Sequence, residues 1–248
     1  MKKRAGRRLL AVLAALDLAL LLGLGAGVTD RKGFLSGERG QEQEAGKEGV
    51  KADAPGAGEE QAPFAGYLAL TFDDGPKRGS TDDLLDGLKA RGVKATFFLM
   101  GQNIEGNEDL VLRMRDEGHL VGNHSYRHMQ LTKEGAEAVC RAVDETSRLI
   151  EGITGRPPQY IRPPYGDWSE ELEDRVDMTA VLWSVDSLDW KLRDRQKIVS
   201  RVMRQVKDGD IILMHDIFPT SVEAALELID RLGSQGYTFV TVDELLIE

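Results

Sequence analysis

Cysteine is almost missing from these 248 residues: Cys140 stands alone, so the chain can close no internal disulfide and build no cysteine-based zinc knuckle. Cys140 falls in a helical apolar pattern with Ala136, Val139, Val143 and Ile150, which predicts a buried structural thiol and not a nucleophile. Histidine is scarce, with four in all, and no G-x-S-x-G elbow offers a nucleophilic serine. Positive charge is short. The chain carries −10, and −15 once Lys2, Lys3, Arg4, Arg7 and Arg8 are set aside. A surface so acidic repels phosphate backbones, which argues against nucleic acid as a partner. No internal repeat is visible. Apolar residues are not lacking: at 41% they suffice for a sizeable core and exclude disorder of the whole.

The one long hydrophobic run lies at the start. The basic cluster precedes an apolar stretch from Leu9 to Val28, broken by Asp17 and several glycines. That order directs a chain to the export machinery, its positive end staying inside. Residues 1–28 are expected to be either a signal peptide or a membrane anchor. Gly25-Ala26-Gly27 is a poor cleavage site, and ~20 residues can just span a bilayer. Asp17 counts against a comfortable span, at about 3 kcal/mol. Residues 29–63 are rich in Gly, Glu, Lys, Gln and Ala, with almost nothing large and apolar after Leu35; a disordered tether is expected, with the folded domain starting near Phe64.

Beyond it, apolar runs alternate with amphipathic patterns. Strands are expected at 67–73, 95–100, 119–123, 159–162, 179–186, 210–215 and 237–242, and helices at 81–91, 107–117, 132–152, 170–176, 194–207 and 220–235. Gly92, Gly118, Gly209 and Gly236 mark the returns. Such alternation predicts a parallel sheet with helices outside. About seven strands suit a distorted, incomplete (β/α) barrel, with an open doubly wound sheet as the alternative.

The strand ends carry the chemistry. They read Thr71-Phe72-Asp73-Asp74-Gly75, His124-Ser125-Tyr126-Arg127-His128, Arg162-Pro163-Pro164-Tyr165-Gly166, Asp186-Ser187-Leu188-Asp189-Trp190 and His215-Asp216. In parallel β/α folds these ends converge on one mouth. His124 and His128, four apart, would face one ion from a helical turn, and a carboxylate from the first strand would complete a two-histidine, one-carboxylate set. Asp73 and Asp74 point oppositely along a strand, so one can bind metal while the other holds a water. His119 opens a strand and is expected to be structural.

The segments TFDDG, HSYRH, RPPYG, DSLDW and LMH, in this order, resemble the polysaccharide deacetylases of carbohydrate esterase family 4 over about residues 64–248. The likeness is greatest to Gram-positive peptidoglycan N-acetylglucosamine deacetylases. The resemblance implies a distorted (β/α) barrel and removal of N-acetyl groups from a polysaccharide outside the membrane. It implies that Asp74, His124 and His128 bind one divalent ion, zinc before cobalt or another. Asp73 would be the general base, paired with Arg162. His215 would be the general acid, oriented by Asp189. The Tyr165 backbone N–H would stabilise the oxyanion, while Trp190 and Leu213 would line the acetyl pocket. Asp186 and Asp216 receive no firm role. Two other readings stay open: a relative acting on chitin oligomers or acetylated xylan, and a domain that only binds wall glycan.

Overall fold

The computed structural model describes residues 62–247; the expected signal or anchor segment and all but the end of the tether lie outside them. Among the described residues, no helix is long and apolar enough to cross a membrane. The first half of the domain runs β1 (Gly66–Asp73), α1 (Ser80–Arg91), β2 (Thr96–Leu99), α2 (Gly101–Ile104), α3 (Glu108–Asp116), β3 (Leu120–Asn123) and α4 (Ala136–Thr154). There follow β4 (Tyr160–Ile161), α5 (Glu170–Arg175), β5 (Thr179–Ala180), β6 (Val185–Asp186) and α6 (Asp189–Leu192). The chain continues through α7 (Arg195–Met203), β7 (Ile211–His215), α8 (Pro219–Ser234), β8 (Tyr237–Val240) and α9 (Val242–Leu245).

Every strand pairing is parallel, in the order β5-β4-β3-β2-β1-β7-β6, with β8 on the first half of β1. β1 is buried on both faces, and its period of two divides the labour. Leu68, Leu70 and Phe72 join the helix-side core with Leu84, Leu85 and Leu88 of α1 and Leu228 of α8. Each such side chain contributes about 1.5–3 kcal/mol by burial. Ala69 packs on the other face with Phe98, Ile211 and Val181. Thr71 and Asp73 share that inner face, which carries the polar groups of the site.

The expected strand 179–186 is not one strand. Its start pairs with β4 as β5, and its end pairs with β7 as β6, at opposite ends of the sheet order. Only four residues separate them, so the two sheet edges lie within about 18 Å of each other. The sheet therefore curls, and the stretch 181–184 bridges the two edges of an incomplete barrel. Short helices α2, α6 and α9 were not expected; the expected helix 132–152 opens with a 3₁₀ turn at Leu131–Lys133 before α4. Cys140 is half-buried, less enclosed than its apolar spacing predicts. His119 is buried, and its Nδ1 accepts the Ala95 N–H at 3.1 Å, away from the strand tips, in keeping with a structural histidine.

Candidate functional site

The five expected segments meet at the C-terminal strand ends. Register sets the first pair: Asp73 of β1 lies beside His215 of β7. β1 stops there, because Asp74 turns into the left-handed region at φ 73° and swings its carboxylate away from the strand alternation. Asn103 Nδ2 donates to the Asp74 carbonyl at 2.7 Å and secures the turn.

His124 and His128 do not ride on a helical turn. They flank an irregular loop in which Ser125 (φ 62°) and His128 (φ 55°) are left-handed, and that folding brings both rings inward. Their ring centroids are 5.0 Å apart. Buried Asn123 shapes the loop: its Oδ1 accepts the Ser125 N–H at 2.7 Å, while its Nδ2 donates to Val143 O and Ser147 Oγ. Sequence reasoning passed over Asn123, although a buried amide directly before the first histidine is the available signal. It also passed over Thr71, which its period of two places on the Asp73 face.

Asp74 Oδ1 lies 3.5 Å from His124 Nε2 and 3.7 Å from His128 Nε2. Ligands at 2.0–2.1 Å around a tetrahedral ion stand about 3.4 Å apart, so these separations fit a single cation. Two further observations agree. Asp74 Oδ1 is buried, and among the described residues no hydrogen-bond donor reaches it. His124 Nδ1 donates to the Arg162 carbonyl at 2.7 Å, which leaves the Nε2 lone pair facing Asp74. Burial opposes ionisation of Asp74, but the facing His124, then His215 and His128, hold its carboxyl below the usual range. Burial, with the neighbouring His124, lowers His128 and favours its neutral form. Asp74, His124 and His128 could thus hold a divalent ion.

Asp73 sits beside this cluster, 3% exposed, with Arg162 Nη1 donating to it at 2.9 Å. Arg162 is completely buried and makes three further hydrogen bonds: Nη1 donates to Thr71 Oγ1 at 2.6 Å, and Nε and Nη2 donate to the carbonyls of Val181 and Leu182 at 3.2 Å each. Its guanidinium lies over the Phe98 ring at 4.3 Å. A buried charge needs such partners.

A second ion pair faces the same mouth. His215 Nδ1 and Asp189 Oδ1 are 2.8 Å apart, and Asp189 Oδ2 accepts the His215 backbone N–H at 2.8 Å. Burial alone would lower His215; Asp189, then Asp73 and Asp74, override it and push the imidazole up to about 9. Burial likewise works against Asp189, whose carboxyl nevertheless stays below its usual range beside His215. Trp190, half-exposed, donates its backbone N–H to Asp189 Oδ1 at 2.8 Å. Leu213 is buried between Thr71 and Asp186 in register. Tyr165, left-handed at φ 62°, is largely exposed, its ring centroid 4.6 Å from that of His128 in an edge-to-face arrangement. Asp186 is half-buried and accepts the Leu188 N–H at 2.8 Å. Asp216 is fully buried under Thr81.

An incomplete parallel barrel with a cation-ready triad flanked by a carboxylate–guanidinium pair and an imidazole–carboxylate pair defines a hydrolase-type site at the strand tips. The family model for polysaccharide deacetylase matches residues 61–181. Peptidoglycan-N-acetylmuramic acid deacetylase PdaC of Bacillus subtilis is 44% identical over 183 residues, covering 74% of this chain and 39% of the relative. Its solved structure superposes with a TM-score of 0.72 at 43% identity, covering 74% of this chain and 91% of that one. Peptidoglycan-N-acetylglucosamine deacetylase PgdA of Listeria monocytogenes is 42% identical over 178 residues, 72% of this chain and 38% of the relative. A family 4 acetyl xylan esterase of Clostridium thermocellum, solved with a cobalt ion, shares 34% identity at a TM-score of 0.70, covering 73% and 90%. The chain belongs to the polysaccharide deacetylase family. It spans about two fifths of the length of the PdaC and PgdA proteins.

Proposed function

We propose that this site removes N-acetyl groups from N-acetylglucosamine residues of peptidoglycan by metal-dependent hydrolysis, releasing acetate. The observation that carries the reading is the pair of ion pairs on neighbouring strands: Asp73 with Arg162 at 2.9 Å, and His215 with Asp189 at 2.8 Å. An amide is a poor electrophile and its amine a poor leaving group, so hydrolysis needs a proton acceptor and a proton donor together. Asp73, beside Arg162, takes the proton of the attacking water. His215, kept charged by Asp189, delivers one to the departing nitrogen. The Tyr165 backbone N–H serves the developing oxyanion, and Trp190 and Leu213 bound the acetyl group. Asp74, His124 and His128 would hold a divalent ion, zinc first among those such a donor set accepts, with cobalt an alternative. When bound, it supplies electrophilic pull on the carbonyl and a more acidic water.

The names of the relatives support peptidoglycan as the polymer. They differ over the sugar, and PdaC favours N-acetylmuramic acid as the second reading. Such a polymer lies outside the cytoplasm, which agrees with reading residues 1–28 as an export signal or anchor and 29–63 as a tether. The test compares acetate release from peptidoglycan, chitin oligomers and acetylxylan, with and without chelator. Mass spectrometry of the digested glycan assigns the sugar. Chelator-sensitive loss of acetyl from glucosamine is expected; loss from muramic acid selects the second reading, and release from acetylxylan alone would overturn both.

A further inference from the structure

Against the acidic balance of the chain, residues 191–207 hold seven Lys or Arg and a single acid, Asp194. The acid is engaged: its side chain caps α7 by accepting the Lys197 N–H at 2.9 Å. Along α6 and α7 a groove of about 570 Å³ has Leu188 and Leu192 as its apolar part and Lys197, Ser200, Arg201 and Arg204 as polar walls, with Asp194 also on its lining. Its position is fixed by Arg201, whose Nε donates to the backbone carbonyl of Asp186 at 2.8 Å. Asp186 is the last residue of β6 and the register partner of Leu213, so the groove adjoins the rim of the mouth. Leu188, on its lining, directly precedes Asp189.

Arg195 and Lys197 pair with Glu227 at 2.7 Å and Asp194 at 3.7 Å, but two other cations here are placed differently from those elsewhere on the helices. Arg91, Arg113 and Arg231 end on carboxylates. Arg204 instead donates to Ser200 Oγ at 2.6 Å, and among the described residues neither Arg201 nor Arg204 has a carboxylate within ion-pair distance. An apolar strip edged by Arg201 and Arg204, neither of them paired with a carboxylate among the described residues, suits a peptide of small apolar and acidic residues. Wall glycan carries such peptides as stems, covalently attached to the strand.

We propose that the α6–α7 groove binds the acidic stem peptide of the glycan and so favours peptide-bearing strands over bare N-acetylated oligomers. This rests on the peptidoglycan reading above and deepens it.

The test pairs kinetics with direct binding. Lys197→Glu with Arg204→Glu, both at exposed positions, is compared with the wild type after thermal melts show both folded. The ratio of kcat/KM for peptide-bearing glycan to that for the same glycan stripped of stems is expected to fall about tenfold in the variant, as for two lost exposed charge contacts. Calorimetric titration with a free stem peptide should give wild-type binding that the variant loses. Both effects should vanish at about 1 M salt, where the screening length is ~3 Å. An unchanged ratio together with equal peptide binding would overturn the groove. An enzyme that leaves all peptidoglycan untouched but deacetylates chitin oligomers would instead overturn the polymer reading, and the peptide titration would still decide the groove.

Discussion

The backbone carbonyl of Arg162 accepts the Nδ1 proton of His124 at 2.7 Å, while the guanidinium of the same residue donates to Asp73 at 2.9 Å. One residue thus orients a member of the cation-ready triad and the carboxylate beside it through chemically separate groups. Its place at the end of β4, bonded back to Asn123 of β3, makes this possible.

The two roles separate by mutation. Arg162→Met keeps the carbonyl and removes the guanidinium, leaving Asp73 as a buried charge without its partner. Stability should fall by about 3–5 kcal/mol in urea unfolding, and deacetylation should collapse. Metal content by elemental analysis should stay near that of the wild type. Loss of metal in this variant would mean that the guanidinium, not the carbonyl, sustains His124.

The adjacent carboxylates divide in the same way. Asp73→Asn is expected to retain a stoichiometric ion and lose about 10²–10⁴-fold in kcat. Asp74→Asn, which weakens the oxygen facing both imidazoles at 3.5 and 3.7 Å, should lose the ion itself. If the metal follows Asp73 instead, the two assignments are reversed.

Much of this arrangement was legible in the residue order, because strand tips in a parallel β/α fold converge whatever the loops do. Asp73, Arg162, Asp189 and His215 needed only that rule to be grouped. The His124–His128 loop was not legible in its conformation: a spacing of four suggests a helical turn, yet Asn123 redirects the backbone through two left-handed residues. The break inside 179–186 was hidden for another reason. A largely apolar run such as 179–186 does not reveal that its halves pair with different edges, and only closure of the sheet separates them. α6, with four residues, is too short for any period to announce it.

The His215–Asp189 pair makes a pH prediction. Its imidazole is raised from the ordinary 6.5 to about 9, against burial, by Asp189 and then by Asp73 and Asp74. Because the folded value lies above the unfolded one, the pair's stability is full below about 6.5 and lost as pH rises through about 9. As proton donor, His215 should set the alkaline limb of kcat/KM. A divalent ion on Asp74 cancels that residue's share and moves the limb down, but leaves Asp189 acting. Asp189→Asn should therefore shift the alkaline limb to lower pH and abolish the alkaline loss of stability. A limb unmoved in Asp189→Asn would assign it to another group.

Asp216 supplies the last prediction, independent of catalysis. It is fully buried, Thr81 Oγ1 donates to its Oδ2 at 2.5 Å, and its Oδ1 has no hydrogen-bond partner among the described residues. Gly75 leaves it room: a β-carbon there would fall 2.3 Å from Oδ2. Burial, with the charge of Asp74 nearby, raises its carboxyl to about 7, so near neutrality the acid form competes with the ion. The folded state then holds a proton that the unfolded chain releases near 3.8. Stability from this group is complete below about 3.8 and lost as pH climbs through about 7. Asp216→Asn copies the neutral shape and cannot ionise. Urea unfolding at about pH 4.5 and about pH 8 should show the wild type losing ground to the variant as pH rises. Parallel curves for the two proteins would show that Asp216 stays ionised in the fold. In that case its unpartnered oxygen must be satisfied by a group other than a proton.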